Sequence, residues 1–231
     1  GSFVAMTTVS VMPESVPVWE IDQAGFLLQA QRLESPNADE RPDGIEVSLL
    51  VIHGISLPAG QYGGPHIEAL FLNQLDYAAH ASFASLQGLR VSAHFLIRRD
   101  GELLQFVATT DRAWHAGVSS FQGRTACNDF SVGIELEGCD DEPYEDAQYA
   151  QLVALTRGLK ARYPGLSSER IVGHADIAPH VRTIGEEEAA FLRYGPDPAP
   201  APGVEAEVRA PAAAHVARVS VLAAMLVALV D

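Results

Sequence analysis

The chain has 231 residues, of which 48% are hydrophobic and 19% are charged, and its 30 acidic and 15 basic residues give a formal net charge of −15. This composition excludes a collagen, a coiled coil and a largely disordered chain. Because so negative a surface repels phosphate backbones, nucleic acid is not an expected partner. The two cysteines, Cys127 and Cys139, are too few for a disulfide framework and are typical of reduced thiols in a cytoplasmic protein.

The two ends of the chain differ in composition from its middle. We interpret residues 1–18 as a leader or cloning remnant, because this stretch has no Lys or Arg and so lacks the positive region of a signal peptide. Residues 196–231 are rich in Ala and Pro and contain no aromatic residue, which is typical of a tail without a core of its own. Within that tail the apolar run Val219–Val230 is shorter than the ~20 residues of a membrane-spanning helix, so we expect a docked helix there, with a membrane-surface anchor as the alternative. The compact domain is therefore predicted over residues 19–195.

Short helix and strand signals follow one another along this domain. The spacing of apolar residues predicts helices over Gln23–Leu33, His66–Gln74 and Glu145–Arg162. It predicts strands over Ser48–His53, Arg90–Ile97, Ser131–Gly138 and Ile171–Val172. A hairpin turn is predicted at Asp100-Gly101, with a return strand over Leu103–Val107. The signals alternate without a regular βαβ repeat. This order favours an α/β fold with a mixed central β-sheet and helices packed on both sides.

Two histidines, His53 and His174, each stand at the end of a predicted strand. If those strands are neighbours in the sheet, both imidazoles lie at one edge of it. Neutral imidazole is the commonest protein ligand of zinc, and loops beyond the strand ends leave a coordination position open for water. The alternative for either residue is a hydrogen-bonded structural histidine.

Glu135 lies in the middle of a predicted strand, on the face opposite Ile134 and Leu136. A carboxylate in that position is costly to bury unless it is paired or faces a wet cleft. One interpretation is a general base whose pKa is raised by burial. The other is an edge strand with a solvated polar face, and Glu137 fits that second description.

A Trp-His pair, Trp114 and His115, precedes Gly117 in a predicted loop. The indole can stack on a sugar or a peptide while the imidazole hydrogen-bonds a developing oxyanion. The alternative is a tryptophan that only anchors the loop.

Longer motifs connect these candidates to a known family. They are, in order, LLVIHGISLPAGQYGGPHIEALF, LRVSAHFLIRRDGELLQF, RAWHAGVSSFQGR, CNDFSVGIELEG and GHADIAP. With them, the chain from about Trp19 to Pro179 resembles the AmpD family of N-acetylmuramoyl-L-alanine amidases, which share their fold with phage lysozyme-type amidases and peptidoglycan recognition proteins. The resemblance implies a cytoplasmic enzyme, with Zn²⁺ as cofactor, that hydrolyses the amide between N-acetylmuramic acid and L-alanine of a muramyl peptide. It also implies a preference for the 1,6-anhydro sugar of cell-wall recycling, and a monomer without a membrane span.

Matched position by position, the resemblance implies roles for individual residues. His53 and His174 match two zinc ligands, and Glu135 matches the catalytic glutamate. Arg90 and Trp114 match positions that line the substrate cleft. An arginine there suits the anionic carboxylates of the stem peptide.

The match fails beyond the GHADIAP stretch. Where the family has a lysine, this chain has Arg182, which with His115 is the candidate for stabilising the oxyanion. Where the family has the aspartate that completes the zinc site, this chain has Ile184, which offers no lone pair. Because a catalytic zinc site normally has three protein ligands and a water, the missing ligand weakens the expected metal site.

Nearby residues offer replacements for the missing ligand. We rank Asp176 first, because in a strand-like continuation it points to the same side as His174, two residues earlier. His180 and Glu186 are the alternatives. The alternatives in function are a non-catalytic module that binds muramyl peptides and an inactive amidase whose reading frame shifts near Val181.

Overall fold

The computed structural model of the chain describes residues 19–139 and 142–178. Its strands are β1 Gln31–Arg32, β2 Ala38–Glu40, β3 Leu49–Ile55, β4 Phe95–Ile97, β5 Leu103–Gln105, β6 Asp111–Ala113, β7 Ser120–Phe121, β8 Arg124–Thr125, β9 Ser131–Glu137 and β10 Ile171–Gly173. Its α-helices are α1 His66–Phe71, α2 Asp146–Arg162 and α3 His174–Ile177, with 3₁₀ turns at Ala81–Leu86, Cys127–Asp129 and Ser168–Arg170. The predictions for residues 1–18, for the tail and for the domain end at residue 195 lie outside the described residues.

A six-stranded sheet lies at the centre of the described part, in the order β1-β5-β4-β9-β3-β10. β4 and β5 form an antiparallel hairpin, whereas β9 pairs in parallel with both β4 and β3, and β10 pairs in parallel with β3. β2 with β6, and β7 with β8, form two small antiparallel ribbons. β3 and β9 are buried along their whole length, as expected of strands covered on both faces.

Helices cover both faces of this sheet. On one face, α2 shares a core with β3 and β9 that includes Leu50, Ile52, Val132, Ile134, Leu152, Leu155 and Leu159. On the opposite face, α1 shares a core with β4 and β5 that includes Ile67, Leu70, Phe71, Leu96 and Leu104. The predicted α/β fold, a mixed sheet with helices on both sides, is confirmed.

α2 agrees closely with its prediction. Its first turn is capped, since the backbone N–H of Glu145 donates to Oε1 of Gln148 at 3.0 Å. Through Nε2, Gln148 also donates to the carbonyls of Ile97 and Glu137 at 3.2 and 2.8 Å, which fixes α2 to the ends of β4 and β9. Within the described ranges, no helix combines the length and the apolar character needed to cross a membrane.

Two predicted elements differ most from the structure. The helix predicted over Gln23–Leu33 is wrong, because the segment forms turns that end in the edge strand β1. Gly25 has a φ of +90°, and a Cβ on it would lie 2.7 Å from the backbone nitrogen of Thr110, so the chain here is shaped by close contact between backbones. The strand predicted over Arg90–Ile97 is shorter in the structure, because Ser92 turns away to donate its N–H to the carbonyl of Trp114 at 3.0 Å.

Candidate active site

The pairing of β3 with β9 and β10 brings the predicted site residues together. The register places His53 beside Glu135 and Gly173 beside Ile52, so His174 follows directly on the strand next to His53. The imidazole centroids of His53 and His174 are 4.6 Å apart, at an interplanar angle of 66°. The two histidine-bearing strands are thus neighbours, which meets the condition stated from the sequence, and both rings lie in one place.

Glu135 lies deep in the sheet beside His53. Its side chain is 3% exposed, and Oε1 lies 4.0 Å from Nδ1 of His53. Among the described residues, Oε2 of Glu135 has no hydrogen-bond partner. Burial raises the pKa of Glu135 to about 8, because the low-dielectric interior disfavours the charged form. Since β9 is a central strand, the alternative of a solvated edge strand is wrong.

Glu137, two residues further along the same face of β9, is also buried, but both oxygens of its carboxylate are hydrogen-bonded. Its Oε2 accepts from Nη1 of Arg98 at 3.0 Å and from the N–H of Gly63 at 3.1 Å. Its Oε1 accepts from the N–H of Arg99 at 3.1 Å. The expectation of a solvated carboxylate is therefore wrong for Glu137 as well. The difference between the two residues is that Glu137 is fully hydrogen-bonded, whereas one oxygen of Glu135 is not bonded within the described part.

His115 lies beneath His53 and is 2% exposed. Its Nδ1 is 2.9 Å from Nε2 of His53, and its Nε2 is 3.0 Å from Oγ of Ser131. The ring rests on Gly133, where a Cβ would come within 2.5 Å of Cγ of His115, so only glycine fits. Burial lowers the pKa of His115 well below its ordinary value, which keeps the ring neutral. This placement gives His115 a contact with His53, and the substrate contact predicted for it stays a prediction.

Trp114 and Arg90 lie on neighbouring segments. Trp114 is half-buried, and its Nε1 donates to Oδ1 of Asp39 at 3.2 Å. Arg90 is exposed, two residues before Ser92, which is hydrogen-bonded to the backbone of Trp114. The indole therefore anchors its loop, and the substrate-binding roles of Trp114 and Arg90 stay predictions.

The structure corrects the premise on which Asp176 was chosen. Residues His174–Ile177 form the single helical turn α3 and not a continuation of the strand. Asp176 is exposed, and its Oδ2 accepts the N–H of Gly173 at 2.7 Å. In a helix, residues two apart point in nearly opposite directions, so the argument that Asp176 faces the same side as His174 is wrong. Arg182, Ile184 and the alternative ligands His180 and Glu186 lie outside the described residues.

The donors at this place determine what the site could hold. His53 and His174 offer imidazole nitrogens, and Oε1 of buried Glu135 lies 4.0 Å from Nδ1 of His53. The other oxygen of this carboxyl group, Oε2, has no hydrogen-bond partner among the described residues. Neutral imidazoles beside a carboxyl group suit zinc in the kind of atom they offer. Over residues 19–139 and 142–178 there is no group of three His, Cys, Asp or Glu side chains that could hold a metal ion.

Asn128 supports the site although no residue-level reasoning singled it out. Its Oδ1 accepts the backbone N–H groups of His115 and Ala116, at 3.1 and 2.9 Å. The only signal in the sequence is that Asn128 falls within the CNDF motif. Its role could not be read from that motif, because its partners are backbone atoms of another segment.

Arg41 is a second residue that the sequence analysis missed. Its guanidinium donates to four backbone carbonyls, those of Thr109, Asn128, Asp129 and Ser131. Burial lowers the pKa of Arg41 to about 10. Arg41 thus joins the start of β9 to the loop before β6, and it stands outside every motif of the chain.

Similar proteins identify the family. The sequence profile of the N-acetylmuramoyl-L-alanine amidase family matches residues 43–186. The 1,6-anhydro-N-acetylmuramyl-L-alanine amidase AmpD of Salmonella typhimurium is 57% identical over 159 residues, which cover 69% of this chain and 84% of that protein. AmpD of Escherichia coli is 55% identical over 161 residues, covering 70% of this chain and 87% of that protein. A crystal structure of a selenomethionine derivative of AmpD matches with a TM-score of 0.67 at 56% identity, covering 69% of this chain and 88% of that one.

The chain therefore belongs to the N-acetylmuramoyl-L-alanine amidase family, and it is an enzyme of that class, a hydrolase of amide bonds. The family predicted from the motifs is confirmed.

Proposed function

We propose that the chain is a zinc-dependent amidase of peptidoglycan recycling that acts in the cytoplasm on 1,6-anhydro-N-acetylmuramyl peptides. The bond it cleaves joins the lactyl group of muramic acid to L-alanine. Similarity to relatives named 1,6-anhydro-N-acetylmuramyl-L-alanine amidase supports this substrate. The observation that carries the proposal is the carboxyl group of Glu135, buried beside the imidazoles with one oxygen unbonded among the described residues. A monomer with its domain over residues 19–195 completes the proposal.

His53 and His174 would hold the zinc through their ring nitrogens. When bound, zinc supplies a Lewis acid that polarises a carbonyl oxygen and makes water more acidic. Because Ile184 stands where the family has its third ligand, we expect weaker zinc binding than a site with three protein ligands gives.

Glu135 moves the proton in this mechanism. A carboxyl group with a pKa of about 8 can both accept and return a proton near neutral pH. Glu135 takes a proton from the attacking water as the new C–O bond forms on the lactyl carbonyl. It then gives that proton to the amine nitrogen of L-alanine as the C–N bond breaks. The products are the free carboxyl group of the muramic acid and the free amino group of the peptide.

The remaining predicted residues would bind the substrate and its developing charge. Exposed Arg90 would pair with carboxylates of the stem peptide, and the indole of Trp114 would contact the sugar. Arg182 would stabilise the oxyanion of the lactyl carbonyl.

Replacing Glu135 by glutamine tests this function. Glu135→Gln keeps the volume of the side chain but cannot accept the proton, so we expect kcat to fall by ~10²–10⁴-fold. The variant should still bind zinc, as measured by metal analysis of the purified protein. Glu137→Gln is the matched control, because Glu137 is buried on the same face of β9 but bonded to Arg98. It should lose stability and keep turnover at temperatures where it stays folded.

Each outcome of this experiment has a definite meaning. Loss of turnover in Glu135→Gln with zinc retained supports the proton-transfer role. Substantial turnover in that variant would contradict the role of Glu135. Wild-type protein that binds muramyl peptide but neither binds zinc nor hydrolyses the amide would contradict the proposed function and favour a non-catalytic binding module.

A further inference from the structure

One short segment, residues 115–116, touches both histidines of the proposed zinc site. His115 places its Nδ1 2.9 Å from Nε2 of His53. The carbonyl oxygen of Ala116 lies 3.2 Å from Nε2 of His174. Both imidazoles are therefore engaged at the same ring atom by two consecutive residues.

The hydrogen bond of His174 fixes where its proton lies. A carbonyl oxygen can only accept, so Nε2 of His174 must carry the hydrogen. In a neutral imidazole with the hydrogen on Nε2, the lone pair is on Nδ1. The Ala116 carbonyl thus selects the form of His174 that offers Nδ1 to a metal ion.

The same form of His53 results if the hydrogen bonds around His115 run in one direction. Nε2 of His115 lies 3.0 Å from the Oγ of Ser131, which can accept from it. If Nε2–H of His115 donates to Ser131, then Nδ1 of the neutral His115 ring is an acceptor and receives the Nε2–H of His53. The lone pair of His53 is then on Nδ1, the atom that lies 4.0 Å from Oε1 of Glu135.

A single side chain holds this segment in place. Oδ1 of Asn128 accepts both backbone N–H groups of the segment, at 3.1 Å for His115 and 2.9 Å for Ala116. Asn128 is 7% exposed, and its own carbonyl accepts from Nη1 of Arg41 at 3.1 Å. Because Asn128 lies in the turn that leads into β9, it ties the segment to the strand that carries Glu135.

We propose that Asn128 is a positioning residue of the metal site, which acts by holding residues 115–116 so that His53 and His174 both present Nδ1 to the metal. Partners that orient the second nitrogen of a ligating histidine typically change metal affinity by 10–100-fold when they are removed. This inference rests on the proposed zinc function. It adds a residue that touches neither metal nor substrate and a definite proton position on both rings.

The first test is the nitrogen NMR spectrum of the imidazoles in metal-free wild-type protein. Recorded at a pH where both rings are neutral, the spectrum should show the hydrogen of His53 and of His174 on Nε2. A hydrogen on Nδ1 of His174 in the folded protein would overturn the proposal without any variant. This measurement needs no zinc, so it stays decisive even if the proposed function fails.

The second test is zinc affinity, measured by competition with a chelator. Asn128→Leu removes the acceptor while keeping the branched shape and the number of heavy atoms of the side chain. We expect zinc affinity to fall by ~10–100-fold and kcat to fall by more than any change in KM. The metal-free spectrum should show a mixture of ring forms. Asn128→Asp retains an acceptor oxygen and should restore most of the affinity and the wild-type spectrum. Asn37→Leu is the matched control, because Asn37 is 1% exposed and bonded through Nδ2 to the carbonyl of Val91. It should unfold more easily with zinc affinity unchanged.

The outcomes separate this inference from the function on which it rests. If wild-type protein binds zinc and a folded Asn128→Leu binds it equally well, Asn128 has no positioning role. If Asn128→Leu does not fold, Asn128→Asp is compared with wild type instead. Because Asn128→Asp keeps the acceptor oxygen, a loss of zinc affinity and of the wild-type hydrogen positions on the imidazoles in this variant would contradict the proposal. If wild-type protein binds no zinc, the proposed function fails, while the spectra continue to test the proton positions.

Discussion

Gly133→Ala should perturb the proposed zinc site indirectly, by displacing the ring of His115. A Cβ at residue 133 would lie 2.5 Å from Cγ, 2.6 Å from Nδ1 and 2.8 Å from Cδ2 of the His115 ring. Carbon atoms in contact prefer about 3.5–4.0 Å, so the ring must move by about 1 Å. His115 is held on both sides, by His53 at 2.9 Å and Ser131 at 3.0 Å. A movement of that size breaks at least one of the two hydrogen bonds.

The expected cost of this substitution can be estimated from its parts. Overpacking a core costs about 1–3 kcal/mol, and a lost hydrogen bond costs about 1 kcal/mol. Replacing glycine by alanine in a strand returns about 0.5–1 kcal/mol of backbone entropy. The net expectation is that Gly133→Ala lowers the free energy of unfolding by about 1–3 kcal/mol. It should also weaken zinc binding, because His115, which contacts the ring of His53, is displaced.

Denaturant unfolding and chelator competition measure both effects. Gly64→Ala is the matched control, because the nearest atom to its added Cβ, Cδ2 of His66, is 3.7 Å away. It should change the free energy of unfolding by less than about 0.5 kcal/mol. The decisive comparison is Gly133→Ala in a His115→Ala background, where the cost should largely disappear. An equal cost with and without the imidazole would refute the contact as the cause.

Two further predictions concern pH and the third ligand. Burial, with a smaller contribution from Arg41, lowers the pKa of His94 to about 3. Below about pH 6.5 the unfolded chain therefore binds a proton at His94 that the folded protein does not bind. The free energy of unfolding should fall by up to about 1.4 kcal/mol per pH unit between pH 6.5 and 3. His94→Gln should show a slope smaller by one proton in denaturant unfolding at several pH values, and an unchanged slope would exclude His94 as the source. Ile184→Asp should raise zinc affinity and turnover, because it restores an oxygen donor at the family position, whereas Ile184→Asn should raise them less. Equal zinc binding by wild type and Ile184→Asp would show that residue 184 is not where the ligand is missing.

The strands that carry the site could be predicted because their side-chain pattern is local. An unbroken apolar run marked β3 as buried on both faces, and strict alternation in β9 separated Glu135 from Ile134 and Leu136. The turn signal at Asp100-Gly101 likewise located the hairpin of β4 and β5. The pairing of His53 with Glu135 in the register of β3 and β9 could not be predicted, because the neighbours of a strand depend on contacts between distant segments.

The support around the site could not be predicted, because it consists of bonds to backbone atoms far away in the chain. Arg41 donates to the carbonyl of Ser131, 90 residues further on. Asn128 accepts from the backbone of His115, 13 residues earlier. Any residue has a backbone carbonyl and, except proline, an N–H, so no pattern of residue types marks these partners. The close contact of Gly25 with the backbone of Thr110 could not be predicted either, because the two residues are far apart in the sequence and no local pattern connects them.

The error at Asp176 shows how one turn of backbone decides which side chains share the site. With a period of two, a strand would place His174 and Asp176 on one side, whereas at about 100° per residue a helix separates them by about 200°. The carboxylate of Asp176 accepts the N–H of Gly173, the last residue of β10, and thereby fixes the point where the strand ends and α3 begins. That turn sets the position from which the ring of His174 reaches within 4.6 Å of His53. A longer β10 would bring Asp176 to the side of His174 but would remove the turn that the ring of His174 depends on, so Asp176 is better placed to support a ligand than to be one.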